Sequence, residues 1–129
     1  MKLLLDTHII LWAANDPKRL PPRAHTLLAD PNNELLFSAA SIWEVAIKTR
    51  LGRPDFNVSP ALLRRALLDN GYSELPITGE HAAATDRLPD GNNDPFDRIL
   101  VAQSMIEGIT LITHDEKVSC LPVGTIRPV

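Results

Sequence analysis

The chain is predicted to fold as an α/β protein with a parallel sheet covered by helices on both faces. Short apolar runs alternate along it with longer segments of helical periodicity. The first run, Leu3-Leu4-Leu5, is apolar on consecutive positions, as a strand buried on both faces requires. With 129 residues, 44% of them hydrophobic, one soluble globular domain spanning 1–129 can bury a sizeable core, and no linker, repeat or low-complexity tract divides it.

The elements follow in order. Lys2 to Leu5 reads as a buried strand ending abruptly at Asp6-Thr7. Helical patterns run from about Ile9 to Ala14 and from Pro21 to Ala29, with Asp16-Pro17 and Asp30-Pro31-Asn32-Asn33 as breaks. Glu34 to Phe37 reads as a second strand. Ser38-Ala39-Ala40-Ser41 opens a helix through Leu51, stopped by Gly52, and another begins after Ser59-Pro60 and stops at Asn70-Gly71. Tyr72 to Leu75 reads as a minor edge strand, Thr78 to Leu88 as a helix, and Pro89-Asp90-Gly91-Asn92-Asn93 as a loop. A helix from Pro95 to Glu107 stops at Gly108. Ile109 to Thr113 is a clear strand, and a last one lies near Val123 to Ile126. Right-handed crossovers between such strands make the sheet parallel.

Bulk properties exclude several classes. Thirteen basic against sixteen acidic residues leave a net charge of −3, so no global basic field points to nucleic acid. Local clusters remain, at Lys48, Arg50 and Arg53 and at Arg64-Arg65. Cys120 is the only cysteine, which precludes an intrachain disulfide or a cysteine zinc cluster and fits a reducing cytoplasm. Asp6 and His8 interrupt the N-terminal apolar stretch, leaving neither a signal peptide nor a membrane span to be expected.

Acidic residues carry the chemical information. Asp6 follows the first strand and Asp115 lies just beyond Leu111-Ile112-Thr113, so both belong at the carboxyl edge of the sheet, where open α/β folds gather functional groups. Asp94-Pro95-Phe96-Asp97-Arg98 permits two readings. Asp94 is an N-cap with Pro95 at the first helical position, and Asp97 either completes an acidic capping box or faces the same edge as a metal ligand. Glu44 admits a surface i,i+4 pair with Lys48, contributing about 0.3 to 0.5 kcal/mol, or a place near that edge. Two carboxylates about 4 Å apart repel by roughly 4 kcal/mol at an effective dielectric of 20, so a gathered set calls for a cation. Oxygen-only donors suit Mg²⁺ or Mn²⁺. Zinc is disfavoured, because His8, His25, His81 and His114 show no paired ligand spacing. Trp43 reads as a core residue, and His8 and His114 as packing or hydrogen-bonding groups.

Four segments, Leu4-Leu5-Asp6-Thr7-His8, Ser41-Ile42-Trp43-Glu44-Val45, Asp94-Pro95-Phe96-Asp97-Arg98 with Ala102-Gln103, and Leu111-Ile112-Thr113-His114-Asp115, resemble in order the motifs of PIN-domain ribonucleases of the VapC toxin type. The resemblance spans nearly the whole chain. It implies a three-layer α/β/α sandwich with a central parallel sheet, and a Mg²⁺- or Mn²⁺-dependent endoribonuclease. Asp6, Glu44, Asp97 and Asp115 match the family's acids. Asp6 and Asp97 are expected to bind the principal ion, with Glu44 and Asp115 orienting its waters or holding a second ion. Thr7 and Thr113 match supporting hydroxyl positions, Asp94 is kept chiefly as a cap, and Arg98 is expected to contact substrate phosphate, bridge carboxylates or lie exposed. The resemblance further implies an RNA substrate, a homodimer and a small antitoxin whose segment fills the acidic groove. The apolar residues Leu62-Leu63 and Ala66-Leu67-Leu68 are candidate contact surfaces. Two other readings stand beside it: a non-catalytic PIN-fold binding module, and a metal-dependent phosphatase or phosphotransferase. The latter expects a second aspartate where His8 stands.

Overall fold

The computed structural model describes residues 1–129. Strand β1 (Lys2–Leu5) lies at the centre of a five-stranded, wholly parallel sheet, between β2 (Glu34–Ser38) and β4 (Thr110–Thr113). The edges are β3 (Ser73–Leu75) beside β2 and β5 (Ile126–Pro128) beside β4. The order β3-β2-β1-β4-β5 means that the chain winds outward from β1 in one direction and then restarts on its other side at β4. A topological switch point, where such folds form a crevice at the strands' carboxyl ends, therefore lies between β1 and β4.

Alternation along the strands divides the apolar side chains between two layers. Leu3, Leu5, Phe37 and Ile112 face α1 (Thr7–Asn15), α2 (Pro22–Ala29), α3 (Ala39–Arg50) and α4 (Pro60–Asp69), where Ile9, Ile10, Val45, Leu63 and Leu67 complete one core. Leu4, Leu36 and Leu111 face the other way, against α5 (Gly79–Ala84), α6 (Pro95–Glu107) and α7 (Glu116–Ser119), with Leu100, Val101 and Val118 filling the second core. The α/β/α sandwich is thus present as expected. No helix is long and apolar enough to cross a membrane.

Several boundaries depart from expectation for local reasons. Helix α1 begins at Thr7 rather than Ile9, because Asp6 itself caps it. The segment expected as one helix over 78–88 divides into α5 and a 3₁₀ turn at Thr85–Arg87. Leu88 precedes a proline and is extended there (φ −73°, ψ 150°), as the proline ring demands. The last strand starts at Ile126, not Val123, since the Ile126 amide donates to the Val123 carbonyl (3.2 Å) and closes a turn over Gly124-Thr125. Pro128 is accommodated because β5 is an edge. Helix α7, four residues long, has too few turns to show periodicity. The stops at Gly71 and Gly108 are as expected: both adopt positive φ (85° and 64°), and the following amide reaches back to Leu67 and Ser104 respectively.

Candidate active site

Three of the acids at the carboxyl edge begin helices. The Asp6 carboxylate accepts from the amides of His8 (2.9 Å) and Ile9 (3.4 Å), Asp94 from Phe96 (2.8 Å) and Asp97 (3.2 Å), and Asp115 from Lys117 (2.9 Å). Each cap satisfies amides that a helix start leaves unpaired and sets its carboxylate in a favourable dipole. Because β1 and β4 are neighbours, the Thr113 hydroxyl reaches across to donate to Asp6 Oδ2, while its oxygen accepts from the Asp115 amide at 3.1 Å. Thr113 thereby ties together the ends of both strands. Asp6 is buried, and that burial pushes its carboxyl above the usual range against the opposing pull of Thr113, His8 and the capped amides.

Asp97 is not part of a capping box. The Asp94 amide donates instead to Asn92 Oδ1 (2.9 Å), and Asn92 Nδ2 donates to Asp97 Oδ2 (3.1 Å) and to the Lys117 carbonyl (3.0 Å). Asn92 takes over the reciprocal capping contact and leaves Asp97 turned towards the other acids. Burial pushes the Asp97 carboxyl up to about 7; the Asn92 bond opposes the shift, and the charges of Asp94, Asp6 and Asp115 reinforce it.

Glu44 is buried, which overturns its reading as half of a surface pair. The i,i+4 contact exists, with Lys48 Nζ 2.5 Å from Oε2, but Oε1 accepts from the Thr7 hydroxyl at 2.5 Å, and Ser41 Oγ lies 2.9 Å from that hydroxyl. Burial disfavours the Lys48 ammonium, yet its hydrogen bond to Glu44 and the charges of Glu44, Asp94 and Asp97 outweigh this and raise its pKa. The charges of Asp94, Asp6 and Asp115 thus act on Asp97, while Glu44 is engaged by Thr7 and Lys48. As the side chains stand, no three carboxylates, imidazoles or thiols converge closely enough to enclose an ion. Asp6, Asp97 and Asp115 nevertheless offer carboxylate oxygens at one edge, and the charges of Asp94, Asp6 and Asp115 add to the effect of burial on Asp97. That chemistry fits a hard divalent cation.

Beside these groups opens a cavity of about 220 Å³ lined by Asp6, His8, Trp12, Asp55, His114 and Asp115. The largest concavity, about 530 Å³ between Pro17 and His25, lies elsewhere and contains no carboxylate. His8 packs between Trp12 and Phe56, and His114 Nδ1 lies 2.6 Å from the Val129 carbonyl, so both serve packing and hydrogen bonding as expected. Asp55, in the left-handed region at φ 69° and paired with Arg19 at 3.3 Å, joins the cleft without any motif to announce it.

The carboxylate-bridging and exposed readings of Arg98 and the core reading of Trp43 are corrected. Arg98 touches no carboxylate: its guanidinium donates to the carbonyls of Thr85 (2.9 Å), Asn92 (2.9 Å), Pro89 (3.1 Å) and Leu88 (3.4 Å), gathering the loop that carries Asn92. A planar fork with several donors suits such a cluster of carbonyls. Trp43 is not core but 60% exposed, its ring edge-on to Phe96 at 5.3 Å.

The geometry has counterparts. Across 116 residues the chain is 29% identical to Ribonuclease VapC22 of Mycobacterium tuberculosis (strain ATCC 25618 / H37Rv), covering 89% of this chain and 88% of that protein. Among solved structures, VapBC2 from Rickettsia felis bound to a DNA fragment from its promoter superposes with a TM-score of 0.70 at 14% identity, covering 100% of this chain and 99% of that one. A toxin–antitoxin complex from Klebsiella pneumoniae gives 0.64 at 20% identity, with 97% and 95% covered. VapBC-5 of Mycobacterium tuberculosis gives 0.64 at 15%, with 99% and 97% covered. These likenesses are of fold. The PIN-domain family model matches residues 3–122, and with it the chain belongs to the PIN-domain family.

Proposed function

We propose that this chain is a divalent-metal-dependent endoribonuclease, the toxin of a toxin–antitoxin pair, acting as one domain over residues 1–129. The observation that carries the reading is geometric: at the switch point of a PIN-family fold, Thr113 joins Asp6 at the end of β1 to Asp115 at the end of β4, and Asn92 holds the half-buried Asp97 at the start of α6. Its relative's name, Ribonuclease VapC22, supports RNA as the substrate. Asp6 and Asp97 are the residues that would hold Mg²⁺ or Mn²⁺, with Asp115 at the same edge and Glu44 next to it. When bound, the ion supplies a Lewis acid that makes water a stronger nucleophile and offsets charge at the phosphodiester.

The chain's own residues prepare that place. Thr113 orients Asp6, Asn92 orients Asp97, and Thr7 with Lys48 immobilises Glu44. The adjoining cleft gives a phosphodiester access to the acids, and water adding to phosphorus breaks the bond to one ribose oxygen. Preset donors and charges of this kind lower a barrier because they need no reorganisation during the reaction.

The solved toxin–antitoxin complexes of this fold support an antitoxin as partner. Leu62 (67% exposed) and Leu68 lie on the outer side of α4 while Leu63 and Leu67 enter the core, which suits α4 to antitoxin or homodimer contact. The exposed thiol of Cys120 accords with a cytoplasmic setting.

The test is cleavage of total tRNA and rRNA by the purified chain with Mn²⁺, with chelator and with Asp97→Asn. Cleavage that needs the ion and disappears in the variant supports the reading. Equal cleavage by Asp97→Asn removes Asp97 from the site, and binding of RNA without cleavage makes the chain a binding module.

A further inference from the structure

Lys48 is a cation set among the acids. Its ammonium lies 2.5 Å from Glu44 Oε2 and 3.8 Å from Asp94 Oδ2, and it sits over the rings of Phe56 at 5.2 Å and Phe96 at 5.7 Å. The side chain is only 21% exposed, so its charge is weakly screened. Glu44 Oε1 is meanwhile held by Thr7 at 2.5 Å. Both oxygens of this buried carboxylate therefore have partners. Moving Glu44 onto an ion would strip one of them and leave an ammonium half-buried beside it, an arrangement that is costly for any ion pair removed from water. Lys48 also links α3 to the capping aspartate of α6, the helix that carries Asp97.

We infer that Lys48 is a positioning residue, a built-in counter-ion that withholds Glu44 from direct contact with the metal and leaves the ion to the aspartates. The inference rests on the metal-dependent reading above and refines it: Glu44 acts through Thr7 and Lys48, not as a ligand. Removing the lysine charge frees Glu44 to approach the ion, so metal binding tightens when Lys48 is lost. A residue that only supports packing has the opposite effect or none.

The test is a Mn²⁺ titration of the full chain, followed by electron paramagnetic resonance of the free ion, on the wild type, Lys48→Met, Glu44→Gln and the double variant. Lys48→Met is expected to bind Mn²⁺ roughly three- to tenfold more tightly. Glu44→Gln is expected to bind somewhat more weakly, and the double variant, with the wild-type net charge and no free carboxylate, close to wild type. Thermal melts provide a second readout: Lys48→Met lowers the melting temperature chiefly of the metal-free protein, whereas loss of packing lowers it equally with and without Mn²⁺. Lys48→Gln removes the same charge if the methionine variant cannot be purified. Unchanged or weaker Mn²⁺ binding in both lysine variants overturns the inference, as does a double variant as tight as Lys48→Met. A wild type that binds no Mn²⁺ overturns the metal-centre reading itself, a result separable from the others.

Discussion

Asp94 and Asp97 stand on the same helical turn, yet their carboxylates have different surroundings. Asp94 is engaged by the amides of its own helix, so Asp94→Ala is expected to lower stability by about 1 kcal/mol while Asp94→Asn, which keeps an accepting oxygen, costs little; denaturant melts of the two variants check this. Asp97 accepts only from Asn92 and faces other negative charges. Asp97→Asn is expected to abolish RNA cleavage while leaving the metal-free protein at least as stable as wild type at neutral pH, because it resembles the protonated side chain that burial already favours. Paired activity and melting measurements separate the two effects. The three-residue spacing made both readings of Asp97 visible in the sequence. What decided between them was Asn92, whose partners include a carbonyl 25 residues away.

At the scale of elements, the start of α6 depends on the loop before it. Proline at the first helical position and an aspartate cap are local signals, legible in five consecutive residues. Arg98 and Asn92 are different, since their partners lie in the 85–92 loop and at Lys117, which no periodicity reveals. Asn92→Ala should leave buried groups unpaired, lowering stability by about 1–3 kcal/mol and slowing cleavage roughly 10- to 100-fold. Arg98→Ala should cost about 2 kcal/mol by releasing the loop carbonyls, with cleavage falling because Asn92 loses its support. Hydrogen exchange of residues 85–92 is the direct measurement: protection should fall in Arg98→Ala. The same distinction explains the helix boundaries, where the glycine stops were visible but the Thr85–Arg87 turn and α7 were not.

At the scale of the molecule, the acids give stability a pH dependence of definite sign. Asp97 has an ordinary carboxyl value of 3.8 when unfolded and about 7 when folded, so between these limits the folded chain holds more protons than the unfolded one. Stability of the metal-free protein therefore falls as pH rises through that window and levels off above it, and Asp6, also raised, acts in the same direction. Melting temperature measured against pH in chelator should show this descent. Mn²⁺ should raise it more on the alkaline side of the window than on the acid side. Sequence alone determined the five strands and the longer helices, the Asp94 cap with its proline, and the edge of the sheet on which Asp6 and Asp115 emerge, because those signals are a few residues long. Only the tertiary structure decided that Thr113 holds Asp6 across 107 residues of chain, that Glu44 is buried against Thr7 and Lys48, and that Asp97 loses solvent. Those outcomes follow from which strands become neighbours and how much water remains between them, quantities set by packing of the whole chain.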